Sequence, residues 1–418
     1  MSKIVYNLFI FIYSKVIWIF SFRNAKARRF IEGRRNVEAE LLKFKSRYFK
    51  KLIWVHVSSL GEYEQCRPLL EALRKRYDKI GIVLSFFSPS GFEFANTSDV
   101  TDLKVYLPMD LPSNCRRFLN LLRPDLALFV KYDFWYNYLS QCVSRNIAIV
   151  YTSVIFRPEQ VYFNRARRLF LPLFRSINFF FLQDELSGEL LSKHKISQYK
   201  VVGDTRFDRV LEIKDQPFHD EIIARFAKDY PTLVCGSIWP SDLEVLENVF
   251  KHFSNRFRYI VAPHNLDDAI MGEIANRLRQ FGKVSRLSKP EDLEEGTEIL
   301  VVDKMGILSK IYRYAKYTYV GGAFKGGVHN VLEAAVYGSP VFIGDHPTNR
   351  KYNEVMELLD SGALFTTSIS GEEAIGVLEK LEESDKAYEQ ASKAAAQYVT
   401  TRAGATKEVM TYLSSLLE

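Results

Sequence analysis

A carboxylate stands directly after the first apolar run that follows residue 50. Residues 52–58 (LIWVHVS) predict a buried strand, and residues 58–62 (SSLGE) turn from it into a helix that begins at Glu62. A carboxylate at the carboxyl end of a parallel strand can take a proton from a sugar hydroxyl when burial raises its pKa. The alternative, that Glu62 only complements the dipole of its helix, stays open on the sequence.

A glycine-rich loop carries the second set of candidate residues. Residues 321–333 (GGAFKGGVHNVLE) predict a strand end, a loop and a helix that opens at about His329. Backbone N–H groups at such a helix start can hold a phosphate, which makes Gly326, Gly327 and His329 candidates. Glu333 follows one turn later, where a carboxylate can accept hydrogen bonds from ribose hydroxyls. The alternative is that the loop needs glycine for its backbone geometry only.

Three further turns in the same half end a predicted strand and start a helix. They are residues 236–240 (GSIWP), 262–265 (APHN) and 303–308 (DKMGIL). Loops at the carboxyl ends of parallel strands meet at one edge of the sheet, so these turns predict a nucleotide pocket there. Asp303 and Asp345 are isolated in the sequence, and no metal-binding constellation is recognisable.

The elements that must position these residues alternate between strands and helices. Predicted strands cover residues 52–58, 80–86, 105–107, 126–130, 147–152 and 177–182, then 233–235, 258–262, 298–302, 317–320, 340–343 and 363–366. Predicted helices include residues 62–77, 241–253, 266–281, 306–314 and 330–337. This alternation predicts an α/β fold of two tandem Rossmann-like, doubly wound domains. We place them at residues 51–210 and 211–418, with residues 203–217 as the linker and a last helix that packs back on the N-terminal domain.

Composition agrees with a folded, intracellular protein of this kind. The chain has 418 residues, 47% of them hydrophobic and 26% charged, with a net charge of +7. These values exclude a disordered chain, a fibrous protein and a multi-span membrane protein. The four cysteines form no CxxC pair, which fits a reducing compartment.

The N-terminus predicts membrane association. Residues 4–22 form an apolar run about as long as the roughly 20 residues that cross a bilayer, interrupted by Asn7, Ser14 and Lys15. Residues 23–50 are strongly basic, and such a flank attracts anionic headgroups and marks the cytoplasmic side. We expect residues 1–22 to be an anchor helix that either spans the bilayer or lies in its interface. The alternative is a buried helix of a soluble domain with a solvated basic face.

These motifs together resemble the 3-deoxy-D-manno-octulosonic acid (Kdo) transferases of lipopolysaccharide synthesis, which have the GT-B glycosyltransferase fold. The resemblance runs from the apolar N-terminus to about residue 365. The family's Ser-x-Gly-Glu is matched by residues 59–62, Leu-Pro-x-Asp by 107–110, Arg-Pro by 123–124, Gly-Gly-His-Asn-x-Leu-Glu by 326–333 with one inserted residue, and Pro-Val-x-x-Gly-Pro-His…Asn by 340–349.

Three motifs depart from the family pattern. The family's Glu-Thr-Glu-Leu-Trp-Pro-Asn reads KYDFWYN at residues 131–137, so Lys131 and Asp133 replace the two glutamates. The lysine of Gly-Asn-x-Lys-Phe-Asp is Arg206, which keeps the charge but changes its geometry. The family's Pro-Arg-His becomes Pro263-His264-Asn265, without the arginine.

The resemblance implies an inverting transfer of Kdo from CMP-Kdo to a hydroxyl of a lipid A precursor, without a metal or other cofactor. Glu62 would be the base, Asp133 would orient the acceptor, and Arg206 would stabilise the leaving phosphate. The implied CMP-binding residues are Pro263, His264, Gly306, Ile307, Leu308, Asn330, Val331, Leu332 and Glu333, with Gly326, Gly327 and His329 as the phosphate loop.

The implied setting is the cytoplasmic face of the inner membrane, with an anionic membrane surface and no nucleic acid as partner. Arg157, Arg165 and Arg168 are candidates for contact with acceptor phosphates, and a solvated helix face is the alternative. Two other functions stay open. One is a GT-B transferase that uses another sugar nucleotide on a lipid acceptor, and the other is a catalytically dead, membrane-bound scaffold.

Overall fold

In a computed structural model of the chain, the described residues are 2–44, 49–163, 169–289, 293 and 296–418. They divide into two compact units. Unit 1 comprises Met1–Arg209 and Gly404–Glu418, and unit 2 comprises Val210–Ala403.

Each unit is built on a parallel sheet of seven strands. The strands in chain order are β1 Lys51–Val57, β2 Ile80–Phe86, β3 Leu103–Tyr106, β4 Leu126–Val130, β5 Ala148–Val154, β6 Phe179–Leu182, β7 Tyr199–Val201, β8 Thr232–Ile238, β9 Arg258–Pro263, β10 Lys283–Arg286, β11 Thr297–Val301, β12 Tyr317–Val320, β13 Val341–Gly344 and β14 Leu364–Thr367. The orders are β3-β2-β1-β4-β5-β6-β7 in unit 1 and β10-β11-β9-β8-β12-β13-β14 in unit 2.

Helices follow most of the strands and cover the sheets. In chain order they are α1 Lys3–Phe20, α2 Ala25–Glu32, α3 Val37–Phe44, α4 Leu60–Arg76, α5 Pro89–Phe94, α6 Pro112–Leu122, α7 Tyr136–Ser144, α8 Leu171–Arg175, α9 Glu185–Lys193, α10 Thr205–Asp215, α11 Glu221–Ala227, α12 Leu243–His252, α13 Asp268–Leu278, α14 Leu308–Ile311, α15 Leu332–Ala335, α16 Asn353–Asp360, α17 Glu372–Glu383, α18 Asp385–Thr400 and α19 Ala405–Leu417.

The core of unit 1 lies on both faces of its sheet because successive residues of β1 point to opposite sides. Ile53 and Val55 pack in a cluster that includes Leu413 of the C-terminal helix α19. Trp54 packs on the other side, in a cluster that reaches Tyr6 and Ile10 of α1. The central strands β2, β4 and β5 are almost entirely buried, as expected for a parallel sheet covered on both faces. The predicted class, two Rossmann-like α/β domains in tandem, is confirmed.

The two strands missed from the sequence are β7 and β10, and both lie at the edge of a sheet. They read YKV and KVSR, short and interrupted by lysine. Edge strands are often short and charged, since one side of the strand pairs with nothing. An apolar run therefore did not mark them.

The segment predicted as the linker, residues 203–217, is mostly helical because α10 occupies Thr205–Asp215. Phe207, Val210 and Ile213 recur at spacings of three residues, and all three are buried. This spacing puts them on one face of a helix, while the charged residues of the segment lie elsewhere on it. The division into two units falls inside this helix, after Arg209.

Candidate functional site

In unit 1, β1 and β4 lie next to each other, although they are not consecutive along the chain. Chain order reverses at this pair, and ligands of open α/β sheets bind at such a switch point, outside the carboxyl ends of the strands. β1 ends at Val57 and leads to Glu62, while β4 ends at Val130 and leads to Asp133. The two carboxylates predicted from the sequence therefore come to the same place.

Glu62 is buried in the first turn of α4 and closes a capping box. Its Oε2 accepts hydrogen bonds from the backbone N–H groups of Ser58 and Ser59, and the Ser59 hydroxyl accepts one from the Glu62 N–H. The capping role considered for Glu62 is thus present. Burial, and next to it the charge of Asp133, nevertheless raises the pKa of Glu62 to about 7. Such a carboxyl group can exchange a proton in the neutral range.

Ser58 connects the two carboxylates. Its N–H donates to Glu62, and its hydroxyl donates to Asp133. Lys131 lies close enough to lower the pKa of Glu62 in part. The backbone of Lys131 has a φ of 61°, in the left-handed region that costs a non-glycine residue roughly 1–2 kcal/mol. This turn directs the chain after β4 so that Asp133 reaches Ser58.

A buried histidine lies beside Asp133 and holds the neighbouring Trp135. His56 of β1 lies with its Nε2 3.4 Å from Asp133 Oδ2, and the same nitrogen accepts a hydrogen bond of 3.0 Å from the Trp135 indole. Nδ1 is then the nitrogen that carries the proton, and it lies 3.1 Å from the Ser85 carbonyl oxygen. The network fixes residues 133–135 against the sheet.

Arg206 also belongs to unit 1, at the start of α10. Its Nε donates a 2.8 Å hydrogen bond to Asp204, which is buried. Burial opposes ionisation of Asp204, but the charge and N–H of Arg206, the Gln65 amide and the charge of Lys131 outweigh it and hold the pKa below its ordinary value. Arg206 thus supplies a positive charge that is already balanced by a carboxylate.

Helix α1 reaches the same region through its first turns. Tyr6 Oη donates a 2.6 Å hydrogen bond to the buried Asp110, which also accepts from the N–H groups of Asn137 and Tyr138. Asp110 therefore satisfies the open N–H groups at the start of α7, the helix that directly follows the Asp133 loop. The Asn137 amide donates a further hydrogen bond of 2.8 Å to the Asn7 side chain of α1.

Unit 2 repeats this topology with other side chains. Chain order reverses between β8 and β12, which end at Ile238 and Val320. Asp242 ties the two following loops together because its carboxylate accepts from the N–H groups of Trp239 (2.9 Å) and Gly322 (3.1 Å). The turn at residues 236–240 and the glycine-rich loop are thus held side by side.

Aromatic rings stack at this edge of unit 2. The rings of His264 and His329 lie 4.3 Å apart and 17° from parallel, and Trp239 packs on His264 at 4.6 Å. Burial, and secondarily His264, lowers the pKa of His329 to about 4, so the stack is uncharged at neutral pH. Lys325 lies 3.8 Å from the centre of the Trp239 ring and brings a cation to the same place.

The glycine-rich loop differs from the prediction in where its helix begins. α15 starts at Leu332, not at about His329, because the Leu332 N–H donates to the Asn330 side chain and the His329 N–H to the Gly321 carbonyl. Gly327 has a φ of 139°, and a Cβ on it would lie 2.4 Å from the Tyr352 hydroxyl. Glycine is thus required here for geometry. The two bonded N–H groups, and that of Gly327, which donates to the Gly322 carbonyl, are not open to a phosphate.

The other predicted nucleotide residues lie on several elements of unit 2. Glu333 Oε1 accepts a 3.1 Å hydrogen bond from the Asn330 amide. Val331 and Leu332 are buried, so their side chains belong to the core. Pro263 ends β9 directly before His264. Ile307 lies between Gly306 and Leu308, and α14 with the following short helix Tyr312–Tyr314 replaces the longer helix predicted over residues 306–314.

The candidate acceptor arginines stay unassigned. Arg157 donates a 2.8 Å hydrogen bond to Asp184, the residue that caps α9. Arg165 and Arg168 lie outside the described residues. In the described part of the chain, no three His, Cys, Asp or Glu side chains lie together in a group that could hold a metal ion.

Several residues of these clusters were not singled out from the sequence. Ser58 was read only as part of a turn, and Lys131 only as a departure from a family pattern. Lys325 sits inside the glycine-rich loop, where a cation was a recognisable signal for a phosphate. Tyr6 and Asp242 gave no signal, because their partners Asp110 and Gly322 lie 104 and 80 residues away.

Comparison with known proteins agrees with these observations. Residues 24–209 match the family model described as 3-deoxy-D-manno-octulosonic-acid transferase (kdotransferase). The 3-deoxy-D-manno-octulosonic acid transferase of Haemophilus influenzae is 23% identical over 379 residues, which cover 88% of this chain and 87% of that protein. The enzyme of the same name from Aquifex aeolicus is 27% identical, covering 76% and 82% of the two chains.

Among solved structures, the UDP-GlcNAc 2-epimerase from Neisseria meningitidis bound to UDP-GlcNAc superimposes with a TM-score of 0.61 over 87% of this chain and 100% of that chain. At 14% identity this likeness shows the fold alone, and with the two parallel sheets it confirms the GT-B architecture. The sequence match and the shared architecture together lead to one assignment: residues 24–209 carry the domain of the 3-deoxy-D-manno-octulosonic-acid transferase family, and the chain as a whole is similar to enzymes of that name.

Proposed function

We propose that this protein transfers Kdo from CMP-Kdo to a hydroxyl group of a lipid A precursor, with inversion at the sugar centre. The observation that carries the proposal is the pair of the buried Glu62 and the half-buried Asp133 at the switch point of unit 1, joined through Ser58. It is the arrangement that removal of a proton from a sugar hydroxyl requires, in a chain similar to the Kdo transferases.

Glu62 is the proposed general base. Its two backbone hydrogen bonds both use Oε2, which leaves Oε1 to take the proton of the attacking hydroxyl. The capping bonds orient the carboxyl group, and burial raises its pKa to about 7, close to the pH at which it must work. Asp133 holds the acceptor through a second hydroxyl. Ser58, which donates a hydrogen bond to each carboxylate, keeps the two carboxylates beside each other.

Unit 2 is the proposed donor-binding part. Glu333 accepts hydrogen bonds from the ribose, and the uncharged rings of His264 and His329 offer a surface for the cytosine base. Lys325 is the proposed cation that offsets the charge of the phosphate leaving with CMP. Arg206 of unit 1 is the proposed second cation, and Asp204 balances part of its charge. No metal is required for this leaving group.

We further propose that α1 lies in the membrane interface on the cytoplasmic side of the inner membrane. α1 is the one described helix that is long and apolar enough to cross a bilayer. Tyr6, Ile10 and Ile17 pack against unit 1 along its length, while Phe9, Ile12 and Ile19 face outward. A helix fixed to its domain on one face and apolar on the other fits an in-plane position better than a span.

The decisive experiment is mass spectrometry of a tetra-acylated, bis-phosphorylated lipid A precursor incubated with the full-length protein and CMP-Kdo. We expect a product heavier by one or more Kdo residues. Thermal stabilisation by CMP but not by UDP is the accompanying expectation for the donor. Absence of product together with stabilisation by UDP would replace the proposal by a transferase of another sugar nucleotide.

A further inference from the structure

A cavity of about 670 Å³ lies in unit 1 beside Asp133. Its walls are the first turns of α1, residues 132–135, residues 161–162 and Phe170. Ten of its eleven lining residues are aliphatic or aromatic, and Asp133 is the exception. The mechanism proposed above uses Asp133 and leaves the rest of this space without a role.

The cavity joins two places that a lipid substrate must reach together. One end is Asp133, which Ser58 links to Glu62. At the other end, Val5 and Phe9 of α1 line the cavity and are also 52% and 63% exposed on the outward apolar face of that helix. A chain lying in this space would run from the carboxylate pair to the surface that faces lipid.

The walls are held in place by ring contacts, so the space exists before anything enters it. Phe170 packs edge-on against both Tyr6 (5.9 Å) and Tyr162 (5.2 Å), and Tyr162 packs edge-on against Phe134 (5.0 Å). A preformed apolar cavity of this size favours a flexible hydrocarbon ligand, because the protein loses little conformational freedom on binding.

From this arrangement we infer that the cavity binds one fatty acyl chain of the acceptor lipid and thereby sets the reacting hydroxyl beside Glu62 and Asp133. The inference rests on the proposed function, since it names how that acceptor is held. The occupant is an acyl chain rather than a peptide or a headgroup because the described lining residues offer one carboxylate and no cation, and because the open end coincides with the apolar face of α1.

Val161 is the residue with which to test it. It lines the cavity, is 43% exposed and takes no part in the carboxylate network, so Val161→Trp fills the space with little effect on folding. We expect KM for the tetra-acylated acceptor to rise tenfold or more, since each methylene kept out of an apolar site costs about fourfold in affinity. KM for the fully deacylated, phosphorylated disaccharide should stay within about twofold. Leu186→Trp on α9, an exposed leucine outside the cavity, is the matched control.

A binding measurement separates this inference from the proposed function. Dansyl-dodecylamide, a neutral probe with a twelve-carbon chain, should bind the wild type below its micellar concentration and bind Val161→Trp at least tenfold more weakly. An equal KM change for both acceptors, or unchanged probe binding, would overturn the cavity assignment. Absence of transfer to either acceptor by the wild type would instead contradict the proposed function. Should Val161→Trp melt well below the wild type, Val161→Asp, which puts a charge in the cavity without added bulk, takes its place.

Discussion

The same topological position carries opposite chemistry in the two units. In unit 1 the loops after β1 and β4 bring together Glu62 and Asp133, two carboxylates. In unit 2 the loops after β8 and β12 bring together Trp239, the imidazole of His329 and the ammonium group of Lys325. Both places lie where chain order reverses in a parallel sheet.

At both places burial disfavours the charged form of the side chain. For the acid Glu62 this raises the pKa to about 7, and for the base His329 it lowers the pKa to about 4. Glu62 becomes a base for the neutral range, whereas His329 ceases to be a cation there. The comparison teaches that the fold supplies the position, while the side chains decide which role we propose for each place: proton transfer in unit 1 and nucleotide binding in unit 2.

The largest effect that this division predicts belongs to Glu62→Gln. The amide keeps the shape and the capping acceptor but cannot take a proton. We expect turnover to fall about 10²–10⁴-fold, with the affinity for CMP unchanged because Glu333 and the stacked rings lie in unit 2. Turnover by mass spectrometry and CMP affinity by calorimetry, on one preparation, measure the two quantities.

The alternative for Glu62 makes a different prediction for the same variant. If Glu62 serves only its helix, Glu62→Gln should cost roughly 0.3–1 kcal/mol of stability and leave turnover near normal. Because the pKa of Glu62 is raised, the folded protein binds this proton more tightly than the unfolded chain does. Its free energy of unfolding therefore falls as pH rises from about 4.5 towards 7. We expect Glu62→Gln, which has no such group, to melt no lower than the wild type above pH 7.

The second effect is the pH dependence of turnover. The proposed base must be ionised, and its pKa lies near 7 through burial and then through the charge of Asp133. Turnover should therefore fall about tenfold for each pH unit below 7, to roughly one hundredth at pH 5. Lys131→Met should shift this fall in turnover to higher pH, because Lys131 lowers the pKa of Glu62. A flat profile from pH 5 to 8 would contradict the role of Glu62.

The third predicted effect concerns unit 2 and should leave the fall of turnover below pH 7 unchanged. Glu333→Ala removes a carboxylate from the proposed ribose site, and a charged hydrogen bond is worth roughly 1.5–3 kcal/mol, so CMP affinity should fall about tenfold or more. The matched control is Glu389→Ala on α18, an exposed glutamate far along the chain from the loop. Calorimetric titration with CMP decides, and equal affinity of the two variants would remove Glu333 from the site.

Sequence reasoning predicted what is local. The strand before Glu62, the turn and the helix follow one another within 25 residues, and the capping serine stands three residues from the carboxylate. The glycine-rich loop was recognisable for the same reason. The start of its helix, however, depends on the hydrogen bond that the Asn330 side chain accepts from the Leu332 N–H, and no apolar pattern reveals it. Glu62 was a candidate from its own turn, whereas Asp133 was a candidate only through the family resemblance.

What the sequence did not predict depends on contacts across the fold. Ser58 becomes a bridge only because Lys131 turns the chain after β4 into a left-handed conformation. Asp110 acquires its role from Tyr6, 104 residues away, and both lie in segments that seemed separate, an anchor and a loop. Residues whose function depends on such long-range partners carry no spacing signal.

The smallest predicted effect concerns this last contact. α1 has an outward apolar face and an inward face whose Tyr6 supports Asp110 and, through it, the start of α7 behind the Asp133 loop. Tyr6→Phe keeps the ring and removes the hydroxyl, which leaves the buried Asp110 with one donor fewer. We expect a stability loss of about 1–3 kcal/mol and a fall in turnover of roughly threefold to tenfold, because a displaced loop misplaces Asp133.

Membrane binding provides the contrast that makes Tyr6→Phe informative. Tyr6 is buried, so flotation with vesicles of anionic lipid should be the same for the variant and the wild type. Tyr13→Phe, on the same helix and 39% exposed, is the control that should change neither turnover nor melting temperature. If α1 acts only as an anchor, Tyr6→Phe should likewise leave turnover on a deacylated acceptor in detergent unchanged. A loss of turnover there, with vesicle binding intact, makes the inward face of the anchor part of the active site of unit 1.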